Sequence, residues 1–468
     1  MIAVKPPRYL VSYFILKNLL DYVYTIYRLY IYIWYFYYIR SYMKQIKYGI
    51  IQPLTGGWVF AAKNALGYPA SWIISYPGLT DVKKNKNGDI THVGNEYGVL
   101  KWLKEHNELP PYQLFNKSMF QETALDVNLI DDPVWSTTPV DYKDTDLVVS
   151  LPVCAGLSMA SRGSVELKNE HNRNMLFNAE FTLGKIKPKI YIFENAPALF
   201  ATDYANNVRA MLNDIANKYG YSVVYYKTDT KLHDNCQARP RTFVYFIKHR
   251  DGQSGTPDFL FENKQVGLED FFARLPSGLS QSEPFEMAET DKLFLDYIIY
   301  KFGTDFRDKL GVWYINELIR KNLLDDLCDF ILKSNYPKNV IDSLHHTIRH
   351  IQHKVSMGKN FYAKLIRGTK QDGTMAAVMY RTIPSMLHYK DNRLYSIREY
   401  LYLMGMPNDY ELQGSIKDNY PKIGQNVPVR TAQWIISEAA RIIENWDTIE
   451  RHNPDVLFVD NTKQKVLC

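Results

Sequence analysis

The chain has 468 residues and a formal net charge of +6, with 46% hydrophobic and 23% charged residues. That composition excludes a wholly disordered chain, a collagen-like chain and a multi-span membrane protein, and the length suggests two or three domains. Four cysteines (Cys154, Cys236, Cys328, Cys468) are too few and too scattered for a disulfide scaffold, and no CxxC pair points to structural zinc.

Residues 1–42 form a Tyr-rich extension that holds eleven of the 36 tyrosines. Lys17, Asp21 and Arg28 interrupt it, and its longest charge-free run, Leu29 to Ile39, falls short of the ~20 residues of a spanning helix. Three readings stand: upstream sequence ahead of a start at Met43, an interfacial anchor held by Tyr and Trp, or a membrane span. The segment carries +4, which leaves 43–468 at +2, so the global charge is weak evidence for nucleic acid.

From Met43 onward the pattern is α/β. Gly49 to Leu54 reads as a strand that ends in Thr55-Gly56-Gly57, with a helix following through Ala65. Asp146–Pro152, Lys189–Phe193, Tyr221–Tyr226 and Thr242–Ile247 read as further buried strands, with an amphipathic helix over Ala205–Tyr219. The alternation predicts a mostly parallel, Rossmann-like sheet with ligands at the carboxyl ends of its strands, where Cys154 and Glu194 fall.

Beyond Lys248 the pattern changes. Residues 276–329 hold eleven acidic and six basic side chains, whereas 333–370 hold eight basic and one acidic. A basic stripe with Tyr336, Phe361 and Tyr362 interleaved suits a phosphate-tracking surface. His346, His350 and His353 share a helix face, but no Cys or carboxylate partner stands at ligand spacing; they read as part of the stripe, and no metal is expected.

The residues that carry chemistry lie at strand ends. Pro152-Val153-Cys154 follows a strand directly, and a cysteine on such a turn can have its thiolate stabilised by backbone amides. Glu194-Asn195 closes the next strand. Gln237, Arg239 and Arg241 open another, and alternation sets all three on one face, toward water, phosphate or a carboxylate. Cys236 reads as a buried structural thiol.

Together these residues resemble the cytosine-C5 DNA methyltransferases. The family order is a glycine loop, a Pro-Cys loop, a Glu-Asn strand end, Gln-x-Arg-x-Arg and a variable region, then Arg-x-x-Ser-x-Arg-Glu and Gly-Asn-x-Val-Pro. Here the last two are Arg393–Glu399, followed by Met404-Gly405-Met406-Pro407, and Gly424-Gln425-Asn426-Val427-Pro428. There are departures. Val153 stands where the family has Pro, only Gly56-Gly57 of the glycine loop match, and no ribose-binding acid follows Trp72–Ser75. Gln425 takes the usual Asn position.

The resemblance implies a Rossmann-like S-adenosylmethionine-dependent domain with a smaller inserted target-recognition domain. The expected division is a catalytic domain over 43–247 and 381–450, a recognition domain over 248–380 and a tail over 451–468. Cys154 would attack cytosine C6, Glu194 would hold the N3/N4 edge, Arg241 would reach O2, and Arg239 a phosphate or the neighbouring loop. Thr55, Gly56, Gly57, Gln425, Asn426 and Val427 would hold S-adenosylmethionine. Pro152, Asn195, Gln237, Lys354, Lys359, Lys364 and Arg367 would serve the double-stranded DNA. A flipped-out base is required, since C6 and C5 are inaccessible in a duplex. The implied protein is a cytoplasmic monomer, with an unknown partner endonuclease. A non-methylating DNA-binding relative is the alternative.

Overall fold

A computed structural model describes residues 45–76, 78–114, 140–152, 156–157, 165–359, 365–368, 374–379 and 385–463. The chain divides into two units, Met1–Ile46 and Lys47–Cys468. Of the first, only residues 45 and 46 are described, so the Tyr-rich extension lies outside the described residues. Among those described, no helix is long and apolar enough to cross a membrane.

The second unit is built on an eight-stranded sheet. In chain order its strands are β1 (Tyr48–Ile51), β2 (Trp72–Ser75), β5 (Tyr112–Leu114), β6 (Leu147–Ser150), β7 (Ile190–Asn195), β8 (Tyr221–Asp229), β11 (Pro240–Lys248) and β14 (Val456–Asp460). A hairpin, β3 (Val82–Lys84) with β4 (Ile90–Val93), follows β2, and the short strands β9 (His233–Asn235) and β10 (Gln237–Ala238) lie between β8 and β11. The spatial order is β14-β8-β11-β7-β6-β1-β2-β5. β11 runs antiparallel to both neighbours, and the other pairs are parallel. This is a Rossmann-like sheet. Strands β6 and β7 are buried throughout and β8 over its first six residues, in runs rich in β-branched and aromatic residues, which is the composition of strands covered on both faces.

Helices α1 (Gly57–Leu66), α2 (Tyr97–Glu105), α3 (Val165–Phe181) and α4 (Asn206–Tyr219) connect the strands. One core joins Val148, Tyr191, Phe193, Tyr225 and Phe246 of the sheet to Met175 and Ala179 of α3 and to Leu212 of α4.

A helical body follows, with α5 (Glu289–Phe302), α6 (Tyr314–Arg320), α7 (Leu324–Lys333) and α8 (Lys338–Ser356). Its separate core runs from Met287 to Leu394. The expected limits of 248–380 therefore shift. Residues before it belong with the sheet: Thr256 bridges Asn453, and Leu260 N–H donates to Glu438 at 2.9 Å. The expected C-terminal tail is also corrected, because residues 456–460 are the edge strand β14.

The chain returns through α9 (Ile397–Leu403) and α10 (Val429–Glu444). The Arg393–Glu399 motif is a fastening. Ser396 and Glu399 form a capping box, Arg393 holds the Glu399 carboxylate at 2.7 Å, and buried Arg398 donates to the Ser280 and Tyr410 carbonyls at 3.0 and 2.9 Å.

Candidate functional site

The loop after β1 carries the first half of the site. Gln52 and Leu54 adopt left-handed φ values of 56° and 47°, and Gly56, at 107°, caps α1. A Cβ on Gly56 would lie 2.6 Å from Val99 Cγ2, so glycine is required by contact as well as by φ. A Cβ on Gly57 would lie 2.1 Å from the Val427 carbonyl oxygen. That closeness lets Gly57 N–H donate to Asn426 Oδ1 at 2.8 Å, while Thr55 Oγ1 donates to the Lys422 carbonyl at 3.0 Å. Gly57 thus meets Asn426 and Val427 directly, and Thr55 ties the loop to Lys422 a few residues before them. Gln425 is exposed on the same turn and accepts from Asn95 Nδ2 at 2.8 Å. The six residues expected to hold the methyl donor come together.

Arg239 grips the turn from the other side. It is 2% exposed and donates to the carbonyls of Gly424 (3.2 Å), Asn426 (2.8 Å) and Val378. Gln237 is fully buried; its Oε1 accepts from Val378 N–H at 2.8 Å, and its strand pairs with β13 (Met375–Ala376). The expectation that Gln237, Arg239 and Arg241 share one open face needs correction. The strand breaks at Arg239, and the first two side chains meet backbone groups inside the protein. Arg241 alone of the three borders solvent, at 17% side-chain exposure, with its Nε 2.5 Å from Glu194 Oε1.

Glu194 and Asn195 end β7 and point to opposite faces, as adjacent strand residues must. Asn195 donates to Met175 Sδ at 3.4 Å and so ties the strand end to α3. Ser150 of β6 pairs with Phe193, the residue before Glu194, and the chain continues two residues on to buried Pro152. Cys154 lies just beyond, outside the described residues. Cys236 is the buried thiol expected, pushed up to about 12 by burial.

α8 buries Val340, Leu344, Ile348 and Ile351, leaving His346, Arg349, His350 and His353 exposed on its outer face. Lys354 is half-buried and Lys359 exposed; Lys364 is outside the described residues. Arg367 does not belong to this surface. It is 1% exposed, donates to Ser385 Oγ at 2.8 Å and lies 4.3 Å over the Trp313 ring.

One residue has no signal in the sequence. Glu96, at the start of α2, places a fully buried carboxyl at the ends of β2 and β5, where Tyr112 OH donates to it at 3.4 Å. Burial pushes it up to about 8, against the opposing pull of the Ser75 hydroxyl and the Leu54 N–H.

Residues 111–441 match the family model of the C-5 cytosine-specific DNA methylase. The type II methyltransferase M1.HphI of Haemophilus parahaemolyticus is 20% identical over 310 residues, 65% of this chain and 71% of that protein. The type II methyltransferase M.Sau96I of Staphylococcus aureus is 24% identical over 257 residues, 54% and 51% of the two chains. Among these curated relatives the matched share of their own length runs from 18% to 71%. The structure of the Entamoeba histolytica methyltransferase EhMeth aligns over 87% of this chain and 100% of that one, at 12% identity and a TM-score of 0.46.

Proposed function

The chain belongs to the C-5 cytosine-specific DNA methylases, and from that premise we propose that it methylates C5 of a cytosine flipped out of double-stranded DNA, with S-adenosylmethionine as the donor. The observation that carries the reading is a convergence at one edge of the sheet. The Thr55–Gly57 loop, locked to Asn426, and the Glu194–Arg241 pair both sit at the carboxyl ends of the parallel strands.

The contacts of the Thr55–Gly57 loop support a donor site there. Gly57 permits an approach that any side chain would close, and the loop and turn leave Gln425 at the surface. Thr55, Gly56, Gly57, Gln425, Asn426 and Val427 would hold the donor, which supplies an electrophilic methyl when bound.

The other residues prepare the base. The Cys154 thiolate adds to cytosine C6, and the electron pair of the C5–C6 bond is released toward C5. Glu194, held by Arg241, donates a hydrogen bond from its protonated oxygen to N3 and offsets the charge that develops on the ring. Arg241 also reaches O2. Once C5 carries the methyl, its proton passes to solvent water, the C5–H electron pair re-forms the C5–C6 double bond, and Cys154 leaves as the thiolate. Arg239 and Asn195 act as fastenings: one fixes the donor turn, the other fixes the end of β7 against α3. Lys354 and Lys359 track DNA phosphates from the helical body, Lys364 joins them by its place in the basic stretch of the sequence, and Pro152 borders the base.

The full chain incubated with duplex DNA and methyl-labelled S-adenosylmethionine, beside Cys154→Ala, tests this. Label on cytosine C5 that disappears in the variant is expected. DNA binding without label in either protein would replace the reading with that of a non-methylating DNA-binding relative.

A further inference from the structure

We propose that a polar recess between α10 and the segment 258–265 binds a small phosphate monoester that carries hydroxyl groups, a sugar phosphate or a nucleoside monophosphate. The recess uses none of the residues assigned above to the cytosine or the methyl donor, and the proposal does not rest on those assignments.

Arg430, Gln433, Trp434 and Ser437 stand at i, i+3, i+4 and i+7, which is one stripe along α10. A polar stripe on a helix ordinarily faces water. Here a second wall stands opposite. Leu260 N–H donates to Glu438 Oε1 at 2.9 Å and Arg441 Nη2 donates to the Asp258 carbonyl at 2.7 Å, which holds the segment along the helix. Farther on, β12 (Lys264–Gln265) pairs in parallel with β9. Between the walls lies a recess of about 270 Å³, lined by the α10 stripe and by His233, Asp234, Glu262 and Lys264. That size is near the lower bound of ~300 Å³ for small-molecule sites. Buried His233 is fixed in it: Nδ1 donates to Glu262 Oε2 at 2.9 Å, and Nε2 accepts from the Thr228 hydroxyl at 2.7 Å.

Three cations meet a single carboxylate in this region. Asp234 accepts from Arg274 Nη1 at 3.0 and 3.2 Å and from Arg430 Nη1, and Lys264 Nζ lies 3.5 Å away. Against the upward pull of burial, the Arg274 bond and the charges of Arg430, Arg274 and Lys264 hold the Asp234 carboxyl below its ordinary range. The cations still outnumber the carboxylates once Glu262 is counted. The donors are also in surplus. Among the described residues Arg430 makes one hydrogen bond, and the Gln433 and Ser437 side chains make none. Surplus donors beside excess positive charge select an anion with several acceptor oxygens, and the planar guanidinium fork of Arg430 fits the paired oxygens of a phosphate. Glu262 Oε1 has no hydrogen bond among the described residues and can accept from hydroxyls, and Trp434 adds a partly exposed ring. A recess closed by two walls admits a compact molecule and not the continuous backbone of a duplex.

Calorimetry on the full-length protein tests this, with inorganic phosphate, ribose 5-phosphate and adenosine 5′-monophosphate as probes. Ribose 5-phosphate should saturate a single site with a dissociation constant below ~1 mM, and bind at least about threefold more tightly than inorganic phosphate. Tighter binding of adenosine 5′-monophosphate assigns a nucleotide and weaker binding a sugar phosphate; either result supports the proposal. Lys264→Ala removes an exposed side chain and should weaken binding at least about threefold. Ser437→Asp sets a negative charge in the recess and should weaken it at least about tenfold, whereas Ser437→Asn, equal in size and uncharged, should stay within about threefold. No saturation by any probe at ~10 mM, or equal binding by Ser437→Asp and the wild type, would overturn the proposal. Displacement of the probe by duplex DNA, with a shallower salt dependence of DNA affinity in Lys264→Ala, would also overturn it and assign the recess to the DNA surface.

Discussion

Replacing Arg239 by methionine keeps the volume of the side chain and removes every donor. Three buried carbonyls, of Val378, Gly424 and Asn426, then lose their partner together. A hydrogen bond from a charged donor contributes about 1.5–3 kcal/mol net, and losses that share one guanidinium do not add fully. With one of the three at the longer distance of 3.2 Å, the expected loss is about 4 kcal/mol, roughly a thousandfold in the equilibrium that holds the turn. Urea unfolding followed by circular dichroism measures it, and donor affinity should fall with it because the turn carries Asn426. A loss below about 1 kcal/mol would refute the reasoning. If Arg239→Met instead left stability intact and weakened DNA binding with a shallower salt dependence, the guanidinium would belong on a phosphate.

The remaining predictions use other contacts. Gly57→Ala forces the Val427 carbonyl back from a 2.1 Å clash, which costs about 1–3 kcal/mol of packing and should raise the S-adenosylmethionine dissociation constant at least about tenfold by calorimetry. Unchanged affinity would show that the donor does not lie on this loop. Lys354→Ala and Lys359→Ala should each lower the slope of log affinity for DNA against log salt by about 1, in fluorescence anisotropy titrations. Arg367→Ala should leave that slope unaltered and cost about 3 kcal/mol in unfolding, because it leaves an uncovered Trp313 and a vacated core position. Glu438→Ala strands the Leu260 N–H and leaves the half-exposed Arg441 guanidinium only the Asp258 carbonyl, and should cost about 1–3 kcal/mol in the same unfolding measurement.

What could be read from the residues follows from how local each signal is. Runs such as Leu147–Ser150 and Val223–Tyr226 announce buried strands because β-branched and aromatic residues fill both faces. The glycine loop and the Asn426 turn were legible as motifs, and their packing together follows the same order. The edge strand β14 was missed because Val456–Asp460 is short and only partly buried, and its identity comes from pairing with β8. Alternation along Gln237–Arg241 misled for a physical reason: a break in the strand at Arg239 turns two polar side chains onto carbonyls of distant segments. Arg367 stands among seven other basic residues in its stretch, and nothing local separates the one that stacks on Trp313 from those that face water. Glu96 is a single acid at a helix start, a position usually occupied for the helix dipole alone.

The bond between Gly57 and Asn426 spans 369 positions of the chain. At a synthesis rate of ~5–20 residues per second, the second wall of the pocket leaves the ribosome roughly 20–70 seconds after the first. During that interval β1 and α1 can form, yet the loop between them has nothing to close against. A nascent or prematurely terminated chain is therefore left with the Pro-Cys segment and half a pocket. Competence arrives in one step near the end of translation, which confines any modification of DNA to finished molecules.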